Sequence, residues 1–160
     1  GIEDVETVKN SYLYYGKITT HDSSLSTSVF SMMGGKIGDM ERAYRYFNET
    51  ARLDLDNTQG NTKDGLHLAN MGGTWLAIVF GFAGLRVKES GQLYLYPQLP
   101  AKWKGYECLF QYRGRDIHLQ VEEHEIRVTV TGEPLEIQIY DQDYTIHDKG
   151  TITIPSKHNE

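Results

Sequence analysis

From Glu3 to about Val87 the apolar residues recur with helical spacing: Val5, Val8 and Tyr12 fall at i, i+3 and i+7, and Leu25, Val29, Met32 and Met33 continue the pattern. The periodicity predicts four helices. Gly34-Gly35 is expected to end the second and Asp39 to cap the third, whose buried face would be Met40, Ala43, Tyr44, Phe47 and Ala51. A loop rich in Asp, Asn and Gly, from Asp54 to Gly65, then leads into a fourth helix around Leu68 to Phe82. There Trp75, Leu76, Ile78, Val79 and Phe80 are apolar nearly all round, which calls for burial on more than one side. So few helices could cover that surface only poorly. They are expected to belong to a larger helical assembly whose other elements lie upstream of Gly1.

Beyond Lys88 the period falls to two. Leu93 and Leu95, Ile117 to Val121, Ile126 to Val130, Leu135 to Ile139, and Ile152 with Ile154 alternate with mostly polar residues, as half-buried antiparallel strands do. Turns are expected at Glu122-Glu123-His124-Glu125, Gly132-Glu133-Pro134, Asp141-Gln142-Asp143 and Asp148-Lys149-Gly150. The Pro-punctuated stretch Tyr96 to Trp103 is expected to run along the seam between the halves, with Trp103 as its anchor. The organisation read from periodicity is therefore α+β, with helices over 1–87 and a small all-β domain over 88–160.

The 160 residues carry a net charge of -6, with 39% hydrophobic and 24% charged residues, which fits an ordinary globular chain without the basic stripe that nucleic acid or an anionic membrane requires. Neither partner is expected. The single cysteine, Cys108, cannot form an internal disulfide and reads as small core filler; with no targeting signal at the start, a cytoplasmic location is expected. The opening Gly1-Ile2-Glu3-Asp4-Val5 has the look of a chain entered partway through.

Two clusters carry chemistry. Thr19-Thr20-His21-Asp22-Ser23-Ser24-Leu25-Ser26 gathers an imidazole, a carboxylate and several hydroxyls just ahead of the second helix. The unpaired N–H groups and partial positive charge of a helix N-terminus could there seat a phosphate or similar oxyanion, or Asp22 or Ser23 could simply cap the helix. Gly65-Leu66-His67-Leu68-Ala69-Asn70-Met71-Gly72-Gly73-Thr74-Trp75 opens the fourth helix. His67 is either a site wall, with the glycines admitting a ligand, or a buried histidine bonded to backbone, with the glycines letting helices cross closely. Tyr94, Tyr96, Tyr112, Tyr140 and Tyr144 are either interface packing or a carbohydrate-recognising surface. The Glu122–Glu125 tip lacks a regular ligand spacing, and no metal is assigned to it.

Thr20 to Ser26, Ala43-Tyr44-Arg45-Tyr46-Phe47, Asp54-Leu55-Asp56, Gly65 to Trp75, Gly81-Phe82-Ala83-Gly84-Leu85-Arg86, Leu93 to Pro100 with Trp103, and Tyr112-Arg113-Gly114-Arg115 together closely resemble the C-terminal part of glycoside hydrolase family 65. That is the family of maltose, trehalose, kojibiose and nigerose phosphorylases. The resemblance covers nearly the whole chain, with the motifs in the family's order. It implies the last helices of an (α/α)6 catalytic barrel followed by a small antiparallel β-sheet or sandwich domain. The reaction it implies is inverting phosphorolysis of an α-glucosyl disaccharide, with inorganic phosphate as substrate and no cofactor. It assigns phosphate binding to Ser23, Ser24 and His67, with His21 and Asp22 orienting the loop and Gly72 and Gly73 permitting close approach. The family's catalytic glutamate lies upstream and none of the glutamates here occupies its motif, so no catalytic residue is assigned and the chain alone is expected to be inactive. Glu3, Glu6, Glu41 and Glu49 read as solvated helix faces. The partners implied are a disaccharide, phosphate and the upstream part of the same enzyme, with homodimers common among relatives. A hydrolytic relative and a non-catalytic carbohydrate-associated β module are the competing readings.

Overall fold

The computed structural model describes residues 4–157; Gly1, Ile2 and Glu3, with the reading placed on them, lie outside the described residues. The chain divides into two compact units, the first ending at Gly81 and the second beginning at Phe82.

The first unit contains α1 (Val5–Ile18), α2 (Ser26–Lys36), α3 (Met40–Ala51), a single 3-10 turn (Thr62–Asp64) and α4 (Leu68–Leu76). A π-helical stretch, Ala77–Phe82, follows α4 directly, so the expected fourth helix exists but changes its winding halfway. Helix α1 buries Val8 and Tyr12 of the predicted stripe, while Val5 in its first turn is exposed. Asp39 caps α3, its carboxylate accepting the Arg42 N–H at 3.2 Å. The fully buried residues of α3 are Ala43 and Thr50, while Met40, Tyr44, Phe47 and Ala51 are half-buried.

Helix α2 departs from expectation in two ways. It buries Thr27, Ser28, Ser31, Gly34 and Gly35 and leaves Leu25 and Val29 exposed, so its small, partly polar face is the one packed within this unit. Each hydroxyl on that face is bonded: Ser28 Oγ donates to the Leu25 carbonyl at 2.8 Å, Ser31 Oγ to the Ala43 carbonyl at 2.8 Å, and Thr27 Oγ1 accepts from Thr50 at 2.7 Å. Gly34-Gly35, read as a helix stop, lies inside α2. A Cβ on Gly34 would stand 3.1 Å from the Ala43 backbone, and one on Gly35 only 2.6 Å from the Gly81 carbonyl oxygen. The pair exists to let backbones approach, and the helix runs one residue further.

The second unit holds eight strands: β1 (Arg86–Val87), β2 (Leu93–Leu95), β3 (Gly105–Tyr112), β4 (Arg115–Glu122), β5 (Glu125–Thr131), β6 (Leu135–Ile139), β7 (Gln142–Ile146) and β8 (Gly150–Pro155). They form two four-stranded sheets, ordered β1-β2-β6-β7 and β3-β4-β5-β8. The change to β structure comes before Lys88, because Arg86 and Val87 already pair with Tyr94 and Leu93. The alternation holds: Ile117, Leu119, Val121, Ile126, Val128, Val130, Ile137 and Ile139 are all fully buried. Pairing is antiparallel except for β2 with β6, which is parallel. That one pair departs from the otherwise antiparallel arrangement expected. The turn expected at Asp141-Gln142-Asp143 is tighter: Gln142 and Asp143 are in β7, and Tyr140 takes the left-handed conformation (φ 54°) at the bend. Strand β3 carries Cys108, buried, with its thiol pushed up to about 11 by desolvation. Arg113 and Gly114, both at positive φ, make the two-residue turn joining β3 to β4. The Tyr96–Trp103 segment is tied within this unit, Tyr96 and Gln98 N–H groups donating to the Ala83 and Phe82 carbonyls, with Trp103 packed edge-on against Phe82.

Because the Gly81 carbonyl is backbone and cannot swing aside, Gly35→Ala should destabilise the helical unit by about 1–3 kcal/mol, against a gain of up to about 1 kcal/mol in helix propensity at an unhindered site. A midpoint of urea unfolding equal to or above that of the unsubstituted protein would contradict the close approach.

Candidate functional site

The residue that organises the candidate site is Thr50, in the last turn of α3 and fully buried. Its hydroxyl donates to Thr27 Oγ1 in the first turn of α2 at 2.7 Å, and its carbonyl accepts from Asn70 Nδ2 in the first turn of α4 at 2.7 Å. The N-termini of α2 and α4 are thereby both fastened to the C-terminal end of α3. A second contact holds them together: a Cβ on Gly73 would meet Ser28 Oγ at 2.6 Å. Gly73 thus serves helix crossing, whereas Gly72 faces open space.

Neither α2 nor α4 has a side-chain cap, in contrast to α3. Asp22 does not cap α2, because its carboxylate accepts the Thr20 hydroxyl at 2.7 Å. Ser23 does not occupy the cap position either; its Oγ accepts the Leu25 N–H at 3.3 Å and its carbonyl accepts the Ser26 N–H at 3.0 Å, which winds the turn entering the helix. Ser24 sits half-buried in that turn. His21 adopts a left-handed backbone (φ 57°), places Nδ1 2.7 Å from Ser26 Oγ, and packs its ring on Phe30 and Tyr46. No hydrogen bond joins Ser23 or Ser24 to His67 among the described residues, so what connects them is the common end of the helices.

His67 is the N-cap residue of α4 and is gripped by Asp54, a partner that sequence reasoning placed in a motif but gave no role. Asp54 Oδ2 accepts the His67 backbone N–H at 2.8 Å, and Oδ1 lies 2.6 Å from Nδ1. The bond from the imidazole, then that from the backbone N–H, holds the Asp54 carboxyl below its ordinary value. The loop bearing Asp54 is braced by the two-pronged Arg52–Asp56 ion pair and by Thr58 N–H donating to the Leu53 carbonyl at 3.1 Å. Gln59 Nε2 reaches to 3.5 Å from the Asp22 carbonyl, bringing this loop beside the segment that enters α2. A spacing of thirteen residues across a loop leaves no periodic mark, which is why the pair was not seen.

The tyrosines of the second unit are used internally. Tyr140 OH donates to the Pro97 carbonyl, Tyr112 OH to the Gly91 carbonyl and Tyr144 OH to Gln142, while Tyr96 packs between the rings of Tyr94 and Tyr140. In the β4–β5 hairpin Glu125 pairs with Arg127, and the His124 carbonyl accepts from Ser156 N–H.

The sequence pattern of the glycosyl hydrolase family 65 central catalytic domain matches residues 3–76, and that of the family's C-terminal domain matches residues 85–146. The chain belongs to glycosyl hydrolase family 65. This family 65 chain is 59% identical over 139 residues to an alpha,alpha-trehalose phosphorylase of Geobacillus stearothermophilus, covering 86% of this chain and 18% of that protein. It is 42% identical over 125 residues to a kojibiose phosphorylase of Thermoanaerobacter brockii, covering 78% of this chain and 16% of that one. Among solved structures, a candidate kojibiose phosphorylase from the human microbiome superposes with a TM-score of 0.91 at 30% identity, over 98% of this chain and 23% of that chain. The family 65 chain thus spans about a fifth of the length of the curated relatives it matches. No helix among the described residues is long and apolar enough to cross a membrane.

Since the folded state holds the Asp54 carboxyl below the ordinary 3.8, its contribution to stability is present above that value and lost as pH falls through the lowered one. Asp54→Asn should therefore lower the thermal midpoint near neutral pH, and the gap from the unsubstituted protein should narrow as pH falls below 3.8. A gap that stays constant or widens toward acid pH would exclude an ionised Asp54 as the partner of His67.

Proposed function

We propose that this chain is the C-terminal part of an inverting glycoside phosphorylase acting on an α-glucosyl disaccharide, and that it supplies the wall that binds inorganic phosphate. In this reading a phosphate oxygen attacks the anomeric carbon from the face opposite the leaving group, and the glycosidic bond breaks. A glutamic acid in the upstream barrel donates its proton to the departing oxygen, and the products are β-glucose 1-phosphate and a free sugar. Phosphate takes the place of the water that an inverting hydrolase activates with a base.

The observation that carries the reading is the pair of helix N-termini without side-chain caps, α2 and α4, fastened to one end of α3, with Ser23 and Ser24 entering the first and His67 heading the second. Such ends offer unpaired N–H donors and a partial positive charge, both suited to an oxyanion, and hydroxyls and an imidazole N–H add hydrogen bonds strengthened by its charge. His21 and Asp22 hold the shape of the loop through Ser26 and Thr20, and Gly72 leaves its side of α4 open. The phosphorylases named above share the greater part of this chain. The sugar linkage is not assigned to this segment. The cytoplasm is the compartment we assign, Cys108 being the sole cysteine.

In the full-length enzyme, Ser24→Ala or His67→Ala should raise the KM for phosphate roughly ten- to a hundredfold, the equivalent of about 1.5–3 kcal/mol for one hydrogen bond to a charged group, with a far smaller change for the disaccharide. Steady-state kinetics with phosphate and disaccharide varied separately checks this. An unchanged phosphate KM in both variants rejects the phosphate wall, and release of free glucose in place of sugar 1-phosphate identifies a hydrolase.

A further inference from the structure

Resting on the phosphate wall proposed above, we infer that Asp54 is a positioning residue for phosphate binding: it fixes the imidazole of His67 so that Nε2, not Nδ1, is the nitrogen presented to the anion. An ionised carboxylate only accepts hydrogen bonds, so both atoms of His67 that meet Asp54 must be donors. The backbone N–H is one. Nδ1, 2.6 Å from Oδ1, must then be the other and carry a proton, which leaves Nε2 as the nitrogen pointing away from the pair.

The geometry is restrictive for a reason beyond the tautomer. Two bonds from one carboxylate to the main chain and the ring of the same residue fix both the start of α4 and the ring torsion, so ring and helix N-terminus cannot turn independently. The Asp54 side chain is only 9% exposed and that of His67 20%, so water competes weakly for either bond. Nε2 makes no hydrogen bond among the described residues. With Nδ1–H given to Asp54, Nε2 meets the phosphate as a donor when the ring carries both protons, and the carboxylate behind the ring balances that charge. The N-terminus of α4 and the imidazole then act on a bound phosphate as one rigid unit.

The test is a mutant cycle in the full-length enzyme with phosphate as the probe. Asp54→Asn keeps the shape but can accept at only one of its two positions, and it should raise the phosphate KM roughly tenfold while leaving the disaccharide KM within about twofold. In a His67→Ala background the same substitution should add no further change to the phosphate KM. A phosphate KM unaltered by Asp54→Asn although His67→Ala raises it overturns the positioning role alone. So does an effect that persists at full size in the His67→Ala background, or one that strikes both substrates equally. A phosphate KM insensitive to His67→Ala overturns the phosphate wall itself. A measurement on the unsubstituted enzyme does not depend on how the variants fold: ¹⁵N-labelled histidine should show His67 with its proton on Nδ1, and a ring protonated on Nε2 alone overturns the inference.

Discussion

The arrangement of the helical unit turns on one threonine. Thr50 offers two groups at the end of α3, a hydroxyl and a main-chain carbonyl, and each reaches the first turn of a different helix. The Thr50 carbonyl accepts the Leu53 N–H at 3.3 Å as the helix ends, and its second lone pair takes the bond from Asn70 at 2.7 Å. Because Thr50 is wholly buried, water cannot substitute for either bond without opening the packing. The N-termini of α2 and α4 are consequently held in place by the demand that buried polar groups be paired, and the packing of Gly73 on Ser28 allows the helices to lie close enough for both bonds to form.

This explains which parts of the structure could be read in advance. The β domain announced itself because its two faces see different surroundings, and Ile117 to Val130 alternate accordingly. Strand β3 did not, since Glu107, Leu109 and Gln111 are exposed and only Cys108 among its residues is fully buried. The parallel pairing of β2 with β6 was equally hidden, because three residues carry no mark of direction. Helix α2 shows the opposite failure. Hydropathy pointed to Leu25 and Val29, but close helix contact is made by the residues with least side chain, so Ser28, Ser31, Gly34 and Gly35 were buried instead. A scale that rewards large apolar groups reads such a face as outward.

The candidate site was legible as an inventory and illegible as a network. Ser23, Ser24 and His67 stood out by type and by position ahead of helices. The capping role that Ser and Asp usually play was the natural competing reading, and the structure assigns neither Asp22 nor Ser23 to it. What no spacing could show is the partner of each group: Thr20 for Asp22, Ser26 for His21, and above all Asp54 for His67. These bonds cross loops, where the number of intervening residues carries no geometric meaning.

Where the carboxylates are held matters as much as where the donors are. An aspartate at the start of α2 would ordinarily accept from the first N–H groups, as Asp39 does for α3. There it would occupy the donors an oxyanion needs and place a negative charge against the incoming one. In this chain Asp22 is turned to Thr20, and Asp54 takes the backbone N–H and the ring of the N-cap residue His67 and bonds none of the N–H groups inside α4 among the described residues. Leaving α2 and α4 without side-chain caps forgoes about 1 kcal/mol at each, a cost that evolution ordinarily removes with a single Ser or Asp. With no side chain accepting at either first turn, the N–H groups left there are the donors that the proposed phosphate would meet.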